Sequence, residues 1–64
     1  MKRADLIKHL KKEGCTLLRE GSRHTVFINV ETGRSSTVPR HKEINTFLGR
    51  KICQDLGVSQ IKKR

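Results

Sequence analysis

The chain has 64 residues and carries 15 Lys and Arg against 6 Asp and Glu, a formal net charge of +9 with neutral histidines. A length below about 70–80 residues allows one small domain, whose core rarely stabilises it by more than about 3–5 kcal/mol without a disulfide, a metal or a partner. Trp and Tyr are absent and Phe27 and Phe47 are the only aromatics. The expected core is therefore thin and aliphatic, and no apolar stretch approaches the roughly 20 residues of a membrane helix.

Residues 2–13 are predicted to form a helix. Leu6, Ile7 and Leu10 make one apolar stripe among mostly charged positions. Asp5 near the start and Lys11 and Lys12 near the end complement the helix dipole, and Gly14 supplies the stop. His9 falls on the polar face, where solvation accounts for it. Cys15 to Glu20 reads as a first strand ended by Gly21-Ser22, and His24 to Val30 as a second, rich in β-branched residues. Glu31-Thr32-Gly33-Arg34 is the expected hairpin loop, with Gly33 at positive φ. Ser35 to Val38 is a short third strand, stopped by Pro39, which has no N–H for a sheet ladder.

A second helix is predicted from Asn45 to Leu56. Ile44, Leu48, Ile52 and Leu56 form an i+4 row that Phe47 widens, with Asn45 as N-cap and Gly57 as stop. Gly49 inside this helix costs about 1 kcal/mol relative to Ala, so it marks a close approach of backbone to a neighbour. The expected organisation is a single domain over 1–57 and a frayed basic C-terminal tail over 58–64. The order α-β-β-β-α implies an α+β fold: a three-stranded antiparallel sheet with both helices on one face, burying the two stripes together. This is the layout of the double-stranded-RNA-binding domain, and layout alone does not establish activity.

The basic residues run from Lys2 to Arg64 without a long block, which favours a folded cationic surface that draws phosphate backbones irrespective of sequence. With no signal peptide or transmembrane run, the expected compartment is the cytoplasm, where Cys15 and Cys53 stay reduced. Together with His9, His24 and His41 the two cysteines have none of the usual zinc-ligand spacing, so neither a metal nor another cofactor is expected.

The run Gly21-Ser22-Arg23-His24 sets one imidazole at the mouth of a turn, on the first residue of the second strand. Histidine is the side chain suited to moving protons near neutral pH. RNA carries its own nucleophile, the 2′-hydroxyl, and a base that takes its proton starts attack on the adjacent phosphate. His24 also shares strand parity with Val26, Ile28 and Val30, which would suit a core histidine. Phe27 shares parity with Thr25 and Asn29, and either stacks an RNA base from an open sheet face or packs against a neighbour. His41, after Pro39-Arg40, shapes the start of the second helix or serves as a second proton carrier.

These residues resemble the HicA toxins of HicA–HicB toxin–antitoxin systems. The likeness rests on the opening Lys2-Arg3-Ala4-Asp5-Leu6 segment, Gly14, the Gly21-Ser22-Arg23-His24 turn, Gly33-Arg34, Val38-Pro39-Arg40-His41 and the closing Leu56-Gly57. The resemblance implies a type II toxin: a ribosome-independent, metal-independent endoribonuclease that cuts mRNA, with His24 in the catalytic position. It also implies a HicB-type antitoxin as partner, which covers the site and carries the DNA-binding part, so that this chain meets DNA only through the complex. Many relatives have a second histidine beside the catalytic one, where this chain has Arg23. Ser22, Arg23, Arg40, His41 and Lys42 are the candidate RNA contacts. A non-catalytic double-stranded-RNA-binding module is the first rival reading; it would need no poised histidine. A small DNA-binding protein is the second, and no helix-turn-helix signature supports it.

Overall fold

Five elements follow one another over residues 1–61, the part of the chain that the computed structural model describes: α1 (Arg3–Lys12), β1 (Cys15–Glu20), β2 (His24–Asn29), β3 (Ser35–Pro39) and α2 (Thr46–Leu56). The strands form one antiparallel sheet in the order β1-β2-β3. This is the expected α+β arrangement. No helix among the described residues is long and apolar enough to cross a membrane. The expected tail residues 62–64 lie outside the described part.

Local signals fix the helix ends. α1 stops as Gly14 turns to φ +93°. Its N-cap residue Lys2 makes no side-chain cap; instead the Arg3 N–H donates to the Lys42 carbonyl at 2.8 Å and Ile44 N–H to that of Met1 at 2.8 Å. The loop between β3 and α2 therefore holds the start of α1. At α2, Asn45 Oδ1 accepts from the Phe47 N–H at 2.8 Å. The other end closes in a Schellman motif: Gly57 is left-handed, and the Val58 N–H reaches the Cys53 carbonyl at 3.0 Å.

The helices cover one face of the sheet, α1 over β1 and α2 over β3. Leu6, Leu10, Ile44, Ile52, Cys53 and Leu56 meet Cys15, Phe27 and Val38 in a single core. On β2 the buried residues are Thr25, Phe27 and Asn29, while Val26 and Ile28 are half-buried and His24 is exposed. Two of the open alternatives are settled here. His24 is not a core histidine, because its parity faces away from the helices. Phe27 is 2% exposed and fills the core, so it offers no ring to an RNA base. Asn29 is accepted in the core because its side chain donates to the Leu56 carbonyl at 2.9 Å and accepts from the Glu31 N–H at 3.0 Å.

Three further differences have local causes. The buried stripe of α2 is Gly49, Ile52, Cys53 and Leu56, so Leu48 sits at the margin and Phe47 is 80% exposed. Gly49 defines that stripe because Met1 lies against it: a Cβ there would come within 2.6 Å of the Met1 methyl. Pro39 ends β3 as its last residue rather than as the first one beyond it, tolerated because β3 is an edge strand. Residues 58–61 are not frayed. Val58 packs on the core, His9 Nε2 lies 2.7 Å from the Ser59 carbonyl, and Gln60 donates to the Arg50 carbonyl at 3.1 Å. His9 therefore anchors the C-terminal segment and is not merely solvated.

Candidate functional site

His24 opens β2 at the end of the sheet where the chain leaves β1 through Gly21, Ser22 and Arg23. The Gly21 N–H donates to the His24 carbonyl at 2.8 Å, closing the turn. The fit is tight, since a Cβ on Gly21 would stand 3.3 Å from that carbonyl oxygen. Arg40 clamps the turn from outside, its Nη1 donating to Glu20 Oε2 at 2.7 Å and to the Gly21 carbonyl at 3.1 Å. On the neighbouring strand His24 is paired with Pro39. Arg3 holds both partners of this corner: its Nε donates to the Pro39 carbonyl at 2.8 Å and its Nη2 to Thr25 Oγ1 at 3.0 Å. Three elements thus fix the backbone beneath an exposed imidazole.

Two open grooves meet at that imidazole. One, of about 440 Å³, is lined by Ser22, Arg23 and His24 together with Arg19, Val26 and Thr37 of the uncovered sheet face. The other, of about 540 Å³, is lined by Arg23, His24, Arg40 and His41. Ser22, Arg23, Arg40 and His41 are thereby gathered around His24. Lys42 is not among them; it lines a neighbouring cleft with Lys2 and Arg3.

Arg19 and Thr37 escaped the sequence reading, as did the bracketing role of Arg3. Both Arg19 and Thr37 are register partners of Val26, and the strand pattern of β1 gave no access to this. A bulge between Leu17 and Arg19 shifts the alternation, so that Arg19 joins the uncovered face. Such a bulge has no sequence signature here, where no glycine marks it. Arg3 was legible only as one basic residue among many, because its bonds depend on the start of α1 docking beside the end of β3.

Among the described residues no side chain hydrogen-bonds the His24 imidazole, and the one carboxylate bound at the turn, Glu20, is engaged by Arg40. A bound substrate would therefore have to set the ring orientation. Also among the described residues, no cluster of His, Cys, Asp and Glu is arranged to hold a metal ion. The two cysteines are free, buried and remote in role from this corner; burial raises both thiol pKa values above their ordinary value.

The fold and this corner define a small basic α+β domain with a solvent-open histidine among arginines at one end of its sheet. Residues 3–58 match the family model of the HicA toxin of bacterial toxin–antitoxin systems. The chain belongs to the HicA toxin family and is a toxin of a toxin–antitoxin system. Comparison with curated proteins and with solved structures gave no match.

Proposed function

We propose that the chain is a metal-independent endoribonuclease that cuts mRNA, blocks translation and growth, and is neutralised by a HicB-type antitoxin covering the His24 corner. The observation that carries this reading is the exposed His24 at the junction of two grooves lined by Arg19, Arg23 and Arg40. Cations in that position attract the phosphodiester and offset the extra negative charge of the transition state.

In the reaction, the 2′-hydroxyl gives its proton to a base and its oxygen attacks the adjacent phosphorus. The bond from phosphorus to the 5′-oxygen breaks, and that oxygen takes a proton. The products are a cyclic 2′,3′-phosphodiester and a 5′-hydroxyl. His24 serves one of the two proton transfers, each worth about 10²–10⁴-fold when the pKa suits the working pH. His41, on the groove that His24 also lines, is the group available for the other. Ser22 and Arg23 hold the phosphate from the turn.

The test is cleavage of labelled RNA in the presence of EDTA by the parent and by His24→Ala, with a thermal melt of each. Loss of cleavage at an unchanged melting temperature supports the reading. A variant that stays folded and cuts at the parent rate overturns it, and RNA binding without cleavage by the parent would favour the non-catalytic module.

A further inference from the structure

We propose that the cleft between the first turn of α1 and the loop joining β3 to α2 is a second phosphate-binding subsite for the same RNA strand, with Lys2 and Lys42 as its ligands. This rests on the RNA reading of the His24 corner and extends it along the substrate.

The cleft, of about 550 Å³, is lined by Lys2, Arg3, Ala4, Arg40, Lys42 and Glu43. Arg40 also lines the groove that contains His24 and His41, so the two depressions share a wall. The charges of the cleft are not equivalent. Arg3 is committed to Pro39 and Thr25, and Arg40 to Glu20 and Gly21. Glu43, its one carboxylate, lies 3.5 Å from the Met1 ammonium, which offsets it. What remains is the pair Lys2 and Lys42, both exposed, neither of them in an ion pair among the described residues.

Their spacing is set by backbone rather than chance. Lys2 is bridged to Glu43, and the Lys42 carbonyl accepts from the Arg3 N–H at 2.8 Å. Two ammonium groups on a pinned backbone, in a cleft that the small Ala4 of α1 also lines, suit a phosphodiester, which lysine binds as a point charge. In the opposite direction, on the uncovered face, Arg19 stands beside Val26 in the groove already described, and beyond it Ile28 offers nothing to a phosphate. A second cationic flank of the His24 corner runs the other way, across Arg40 toward α1.

The probe is a fluorescent single-stranded oligonucleotide of about 12 nucleotides, methylated at each 2′-oxygen so that it cannot be cut. Its affinity is measured against salt for the parent, for Lys2→Gln/Lys42→Gln, and for Lys8→Gln/Lys11→Gln, which removes equal charge from the exposed side of α1. Two lost phosphate contacts should lower the slope of log affinity against log salt by about 1.4 in the first variant, with a much smaller change in the second. Equal slopes for the two double variants would reduce the effect to net charge and overturn the subsite. So would unchanged oligonucleotide binding accompanied by weaker binding of poly-glutamate, which would assign the cleft to an acidic protein. Cleavage of unmodified RNA by the parent is scored separately: if it fails while the slope difference persists, the subsite stands and the nuclease reading falls.

Discussion

Arg3 and Thr25 are joined by a 3.0 Å hydrogen bond that ties the first turn of α1 to the residue directly after His24. Thr25 is 3% exposed, and Arg3 supplies the hydrogen bond to its hydroxyl. The other arm of the same guanidinium holds the carbonyl of Pro39, the register partner of His24. On the proposed nuclease reading, Arg3 acts as a positioning residue for the imidazole through these two neighbours. Arg3→Ala should cost about 1–2 kcal/mol, the range for charged hydrogen bonds discounted for partial exposure. In RNA cleavage it should lower kcat more than it raises KM. Arg3→Lys should recover little, because an ammonium cannot reproduce the two-armed fork. Equal loss in kcat and stability-matched controls elsewhere in the core would leave Arg3 a purely structural residue.

The two phenylalanines should behave oppositely. Phe27→Ala removes a buried ring from a thin core, at about 3–5 kcal/mol, enough to unfold much of a domain this small. Phe47→Ala, at 80% exposure, should change stability by less than about 0.5 kcal/mol. Circular-dichroism melts of the two variants decide this.

Stability should fall at alkaline pH through the thiols. Burial raises the pKa of Cys15 and Cys53 above the ordinary 9.0. Above that value the unfolded chain loses thiol protons that the folded chain retains. The unfolded state then binds fewer protons, and the free energy of unfolding declines with rising pH. The contribution is fully present below pH 9.0 and is lost above it. Denaturant titrations at pH 7 and pH 10, on the parent and on Cys15→Ala/Cys53→Ala, should show a steeper decline in the parent. Parallel declines would assign the alkaline loss to other groups.

His9→Ala should lower stability by about 0.5–1 kcal/mol, the net worth of one hydrogen bond, because it releases Ser59 from α1. RNA cleavage should be unaffected, since His9 lines neither groove at His24. A silent melt would mean that the segment after α2 holds without this contact.

Most of the fold was readable in the residues. Cys15–Glu20 was bounded correctly as a strand, and Gly14, Gly33 and Gly57 all take the positive φ expected of them or their turns. The faces were harder. β2 carries apolar residues at both parities, so Val26 and Ile28 competed with Phe27 for the core. The outcome depends on polar partners far away in sequence: Arg3 for Thr25, and Leu56 for Asn29. On α2, Gly49 and Cys53 do not look strongly apolar, yet their small size lets the helix approach Met1 and the sheet, rotating Phe47 outward. Around His24, Ser22, Arg23, Arg40 and His41 were named from sequence and are brought together. Arg19 arrives through a bulge, and Lys42 departs to another cleft.

Asn29 stands at the end of the six-residue β2 away from His24, where it ties the strand to the last turn of α2. A substitution such as Asn29→Asp would strain this knot while leaving every lining residue of the grooves in place. That separation makes Asn29 a natural point for a temperature-conditional toxin: intact chemistry in the cold, and a chain that loosens on modest warming. Growth of cells expressing such a version could then be arrested or released by a shift of the incubator alone.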